Sequence, residues 1–193
     1  MKFLYYDASA GISGDMNLGA LVDLGADFSY LCVQLEKLNL ASEFYLRKRK
    51  VLKCGTSATK IDVVCAANLG QLPLGLLGAK FSPRQNLNGK IHGAEFRADK
   101  PAQNHPHPRN FAQILELIES SNLSAFVKKT ASEIFSVIAR AEAKVHGTDV
   151  ERVHFHELGA IDSIVDIAGA AICLEYLFEN LGVSRVVSSK IEL

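Results

Sequence analysis

The chain has no tryptophan, two methionines and no net charge, with 21 lysines and arginines balancing 21 aspartates and glutamates. A balanced surface offers no broad positive field, which argues against a nucleic-acid binder or a membrane-surface protein. No apolar run approaches the roughly 20 residues needed to span a bilayer. The opening Met1-Lys2-Phe3-Leu4-Tyr5-Tyr6-Asp7 lacks the apolar core and cleavage site of an export signal and reads instead as a first strand. Cysteine is sparse and scattered. Cys32, Cys54, Cys65 and Cys173 form no C-x-x-C pair, so no disulfide framework is expected. Reduced thiols in a cytoplasmic protein are the default, mostly as small core residues, with a thiolate ligand for a soft metal as the alternative.

What is present suits one globular domain. At 193 residues, 48% hydrophobic and 22% charged, the chain is long enough to bury a real core. Its hydrophobic periods predict an α+β fold, close to α/β. A small mixed sheet is expected from residues 2–8, 43–52, 58–66 and 186–193, packed with several helices. Helices are expected over about 15–24, 28–38, 111–120, a long stretch from about 123 to 146 closed by His146-Gly147, and about 163–181. The prolines and many glycines fall between Asn68 and Arg109, where no period is sustained, so a long loop is expected there. It carries His92, His105 and His107. His105-Pro106-His107-Pro108 is held extended by its prolines and either delivers imidazoles to a metal or is a solvated tract. The basic run Arg47-Lys48-Arg49-Lys50 reads as a strand with mostly solvated charges, a phosphate contact being the alternative. The final residue falls within a strand-like pattern, which suggests one part of a longer architecture.

Two constellations carry chemistry. The first is Val153-His154-Phe155-His156-Glu157-Leu158-Gly159-Ala160-Ile161-Asp162-Ser163-Ile164-Val165-Asp166. Imidazole and carboxylate together suit a divalent transition metal. On an extended segment His154 and His156 share one face, and on a helix Asp162 and Asp166 share another. The competing reading makes Asp162 a helix N-cap, with Ser163 and Asp166 serving the cap or the dipole. The second constellation, Asp7-Ala8-Ser9-Ala10-Gly11-Ile12-Ser13-Gly14-Asp15-Met16, joins a strand to a helix. Its glycines permit a tight turn and close approach, and the helix start suits a phosphate. Asp7 and Asp15 would instead hold a metal or a ribose. The pattern is neither a Walker loop nor G-x-G-x-x-G.

Three blocks resemble one family in order and spacing. They are Asp7-x-x-x-Gly11-Ile12-Ser13-Gly14-Asp15-Met16, Ala141-Glu142-Ala143-Lys144-Val145-His146-Gly147, and His154 through Ile167. They are similar to the nickel-insertion proteins of lactate racemase maturation (LarC), which are pyridinium-3,5-bisthiocarboxylic acid mononucleotide nickel chelatases. The resemblance implies that the chain is the family's N-terminal nickel-insertion domain over 1–193. It implies insertion of Ni(II) into the mononucleotide to form the nickel-pincer nucleotide cofactor. CTP, with Mn or Mg assisting, would act through the C-terminal domain, which this chain lacks. Implied partners are the mononucleotide, that C-terminal domain, apo lactate racemase indirectly, and a second copy of the chain. The implied metal ligands are His154, His156, Asp162, Asp166 and His146. Asp7, Asp15 and Glu157 take catalytic roles, and Ser9, Gly11, Ser13 and Gly14 bind the nucleotide. The thinned tract His105-Pro106-His107-Pro108-Arg109 departs from the family's longer histidine-rich one. Two rival functions remain: a non-catalytic nickel-binding or scaffold module, and a metal-dependent phosphohydrolase built on Asp7, Asp15 and His156.

Overall fold

A computed structural model of the chain describes residues 1–40, 43–65, 109–153, 155 and 160–190. The loop expected at 68–109 lies outside the described residues except for Arg109, together with His92, His105 and His107. His154, His156 and Glu157 also lie outside them, as do the last three residues of the expected closing strand.

The described elements run β1 (Lys2–Tyr6), α1 (Gly14–Asp23), α2 (Phe28–Glu36), β2 (Phe44–Lys53), β3 (Thr56–Cys65), α3 (Phe111–Ser120), α4 (Ala125–His146), α5 (Ile161–Leu181) and β4 (Val183–Ser188). A single 3-10 turn, Val150–Arg152, precedes the histidine segment. The α+β class holds. The strands, however, form two separate two-stranded sheets among the described residues rather than one mixed sheet. β1 pairs in parallel with β4, and β2 pairs antiparallel with β3.

The hairpin does not extend into the other pair because α1 covers the edge of β3. Asp23 Oδ2 accepts the Thr59 backbone N–H at 2.8 Å, taking a donor that a further strand would need. Gly19 makes this approach feasible, since a Cβ there would strike the Thr59 carbonyl oxygen. The hairpin closes through Cys54 and Gly55, at φ 50° and 80°. Two consecutive left-handed residues give the type I′ turn whose twist matches paired strands.

Helix ends follow local chemistry. Asn110 and Gln113 form a reciprocal capping box at α3. Ser124 caps α4 by accepting from the Val127 N–H, and Gly147 and Gly182 end α4 and α5 in the left-handed conformation. At α5 the N-cap is Ala160, so Asp162 sits inside the first turn and is not the cap residue. β4 starts at Val183, directly after the Gly182 turn, three residues earlier than the sequence pattern suggests.

The core is organised around α5. Ile164, Val165, Ala168, Ala171 and Ile172 are fully buried. Gly169 lets the Leu18 side chain of α1 and Leu31 of α2 lie against the helix backbone. On the other side α4 contributes Phe135 and Ala139, also fully buried. Phe155 packs between Phe135 and Phe111, with ring centroids 6.2 Å apart in both pairs. That contact anchors the chain just before α5 with one of the largest apolar side chains in the core. No helix among the described residues is long and apolar enough to cross a membrane.

Candidate functional site

The turn after β1 is held from two sides. Ser189, just past β4, accepts the Ala8 N–H on its Oγ at 3.0 Å and donates its own N–H to the Tyr6 carbonyl at 2.8 Å. The Gly11 N–H closes the turn onto the Ala8 carbonyl at 3.0 Å, with Gly11 at φ 81°. The Tyr6 hydroxyl donates to Asn17 Oδ1 at 2.9 Å and so ties β1 to α1. Asp7 is exposed, its Oδ1 accepting the Ser9 N–H at 3.3 Å.

Ser13 occupies the N-cap of α1 but makes no cap bond with its side chain. Its hydroxyl instead donates to Asp15 Oδ1 at 2.5 Å. That bond is the main reason Asp15 stays below the ordinary carboxylate range, with the Met16 N–H and Lys60 helping against a burial penalty. Asp15 is therefore a fixed anion at a helix start, where the dipole also favours it. Lys60 of β3 reaches Asp15 Oδ2 at 3.5 Å and Asp62 Oδ1 at 3.6 Å.

Facing this helix start is Asp166, one turn and a residue into α5. A Cβ on Gly14 would collide with the Asp166 carboxylate, so glycine is what admits it. Asp166 Oδ1 is buried and has no hydrogen-bond partner among the described residues. Burial first, then the charges of Asp15 and Asp162, push the Asp166 carboxyl up to about 7. Asp162, one turn earlier, is exposed, and its Oδ1 accepts the Ser163 N–H at 2.8 Å. Cys65, at the end of β3, borders the same region. Burial raises its thiol pKa, and Asp162 and then Glu43 raise it further.

The structure thus brings together Gly14, Asp15, Asp162 and Asp166, which lie some 150 positions apart in sequence. Asp7 lies at the far end of the same turn, and Ser9, Gly11 and Ser13 lie between. His146 closes α4 and meets Glu142 Oε2 at 3.2 Å across one turn. Among the described residues no three histidine, cysteine, aspartate or glutamate side chains converge closely enough to hold a metal ion. The carboxylates are coupled electrostatically but need further donors to complete a coordination sphere. An unpartnered carboxylate oxygen beside a second carboxylate nevertheless fits a divalent cation, which would relieve both the desolvation and the repulsion.

Two neighbours escaped the sequence reading. Lys60 sits in a strand that showed nothing beyond alternation, and only the packing of β3 on α1 brings it to Asp15. Cys65 read as a core thiol, and its proximity to Asp162 is tertiary.

A family model described as nickel insertion protein matches residues 4–193. The chain is 46% identical over 177 residues to a pyridinium-3,5-bisthiocarboxylic acid mononucleotide nickel insertion protein of Akkermansia muciniphila, covering 92% of this chain and 36% of the relative. It is 41% identical over 193 residues to the protein of that description in Clostridium kluyveri, covering 100% of this chain and 41% of the relative. The corresponding protein of Clostridium acetobutylicum is 44% identical over 201 residues, covering 100% of this chain and 44% of the relative. The chain therefore spans about two fifths of the length of the curated relatives it matches. No solved structure matches it.

Proposed function

The chain belongs to the nickel insertion protein family, and from that membership we propose that it is the nickel-holding part of a protein that inserts Ni(II) into pyridinium-3,5-bisthiocarboxylic acid mononucleotide. The observation that carries the reading is the apposition of Gly14 and Asp166, which leaves a buried carboxylate oxygen, without a partner among the described residues, beside the anionic Asp15. Nickel is a substrate here. It is taken up on oxygen and nitrogen donors and given to the sulfur atoms of the organic acceptor.

In this reading Asp166 and Asp162 supply oxygen donors. His154 and His156, the sequence neighbours of the anchored Phe155, supply imidazoles, and His146 closes the set from the end of α4. Mixed nitrogen and oxygen donors bind Ni(II) while leaving it exchangeable, whereas a thiolate cage would compete with the thiocarboxylates. Asp7, Asp15 and Glu157 set the charge around the ion. Ser9, Gly11, Ser13 and Gly14 border the place where the acceptor's thiocarboxylates take the metal. Use of CTP with Mn or Mg, and turnover, belong to the part of the family proteins beyond this chain's span. The setting is a cytoplasmic one, and lactate racemase is the eventual recipient.

Calorimetric titration of the metal-free chain with Ni(II) tests this reading. One ion per chain is expected. Asp166→Asn should weaken binding at least tenfold, and the double change of His154 and His156 to Ala should remove it. Undiminished binding in both variants would refute the donor set.

A further inference from the structure

Strand alternation divides the basic run into two pairs with different surroundings. Lys48 and Lys50 are occupied in packing. Lys48 Nζ lies 4.8 Å from the centre of the Phe28 ring, and Lys50 Nζ lies 2.6 Å from Asp23 Oδ1. Arg47 and Arg49 point to the other face. The register sets Arg47 opposite Asp62 and Arg49 opposite Lys60. Directly opposed residues of an antiparallel pair share a face, so these four side chains form one patch of three cations and one carboxylate.

That carboxylate is oversubscribed. Asp62 Oδ2 accepts from Arg47 Nε at 3.2 Å, Arg47 Nη2 at 3.0 Å and Arg49 Nε at 3.1 Å, while Oδ1 faces Lys60 at 3.6 Å. Burial pushes Asp62 up, but the hydrogen bonds from Arg49 and Arg47 outweigh it and hold the carboxyl low. Arg49 spends only its Nε on this bond, so Asp62 leaves its terminal nitrogens unused. The three cationic side chains are 55%, 48% and 41% exposed, whereas Asp62 is 18% exposed. The patch therefore shows solvent a surplus of positive charge above a recessed counter-ion. An incoming anion with three oxygens matches two guanidinium forks and an ammonium better than one carboxylate does.

The patch also continues into the carboxylate site, because Lys60 touches Asp15 as well as Asp62. An anionic acceptor approaching Asp15, Asp162 and Asp166 meets repulsion, and neighbouring cations offset it. The geometry points to an anion subsite on the outward face of the β2–β3 hairpin. It takes the phosphate monoester of the mononucleotide while the pyridinium end reaches the Gly14–Asp166 region. This rests on the nickel-insertion reading for the identity of the nucleotide, but the subsite itself is testable without metal.

The test is calorimetry on the full 193-residue chain, with three probes: inorganic phosphate, a pyridinium-carboxylate mononucleotide, and the same nucleoside without phosphate. The mononucleotide should bind at least tenfold more tightly than the nucleoside, with inorganic phosphate competing. The double variant Arg47→Gln with Arg49→Gln should erase that difference. Asp62→Asn frees both guanidiniums and should tighten phosphate binding severalfold, a gain that a folding defect does not imitate. Equal binding of nucleotide and nucleoside, an unaffected double variant, or a folded Asp62→Asn that binds phosphate no better would each overturn the subsite. Nickel titration in parallel separates the two claims. If nickel binds but phosphate confers nothing, the subsite falls alone. If phosphate discriminates but nickel does not bind, the subsite stands and the nickel-insertion reading falls.

Discussion

Replacing Asp166 by asparagine should make the metal-free protein more stable at neutral pH while removing a proposed nickel donor. The Asp166 carboxyl rises from the ordinary 3.8 to about 7 through burial and the charges of Asp15 and Asp162. The folded chain thus holds a proton that the unfolded chain releases. This contribution to stability is fully present below the unfolded value and is lost as pH rises through about 7. For a fully buried group the gap would correspond to roughly 4 kcal/mol. Asp166 is only partly buried, so solvent screening lowers the figure to about 2 kcal/mol. Asparagine keeps the shape and cannot ionise. In chelator, its melting temperature should exceed the wild type's by roughly 4–8 °C at about pH 8, converging near pH 4. Thermal unfolding across that range measures it directly. Parallel curves for the two proteins would show that Asp166 is not strained by its neighbours. Adding nickel at about pH 8 should narrow the gap, since an ion that binds the folded wild type at least tenfold more tightly stabilises it by about 1.4 kcal/mol more at saturation.

Two further changes probe the frame around the site. Gly19→Ala puts a Cβ into the Thr59 carbonyl oxygen, a backbone atom that cannot swing away. Overpacking of about 1–3 kcal/mol should exceed the helix-propensity gain of about 1 kcal/mol, giving a lower urea midpoint; an unchanged or higher midpoint would mean that α1 and β3 part easily. Ser124→Ala removes both the α4 cap and the hydroxyl that donates to Glu175 Oε1 at 2.5 Å. A loss of about 1 kcal/mol for the cap, and as much again or more for the orphaned buried carboxylate, is expected in denaturant melts.

Much of the local structure was legible because its causes are local. The α3 limits follow from the apolar period, and the end of α4 follows from Gly147. What depended on distant pairing was not. Period-2 patterns marked the strands but could not say that β1 joins β4 while the hairpin stays apart, since the covering of the β3 edge by Asp23 is a tertiary event. The competing reading of Asp162 as a cap fails because the chain enters α5 two residues earlier, at Ala160. Both carboxylate motifs could be recognised singly. Their convergence on one polar cavity was expected from their chemistry, but the contact of Gly14 with Asp166 could not be read, because nothing in the turn announces which helix residue it will face.

The contact between Leu18 and the Gly169 backbone bears on how an ion held at the proposed site would leave. It locks α1 to α5 a few residues below the point where Asp15 and Asp166 face each other. Separating these carboxylates would mean unpacking the centre of the domain. Discharge by gaping open is therefore the costly route, and stepwise replacement of donors by an arriving acceptor is the cheap one. The off-rate of the ion should then climb with acceptor concentration instead of following a fixed internal clock.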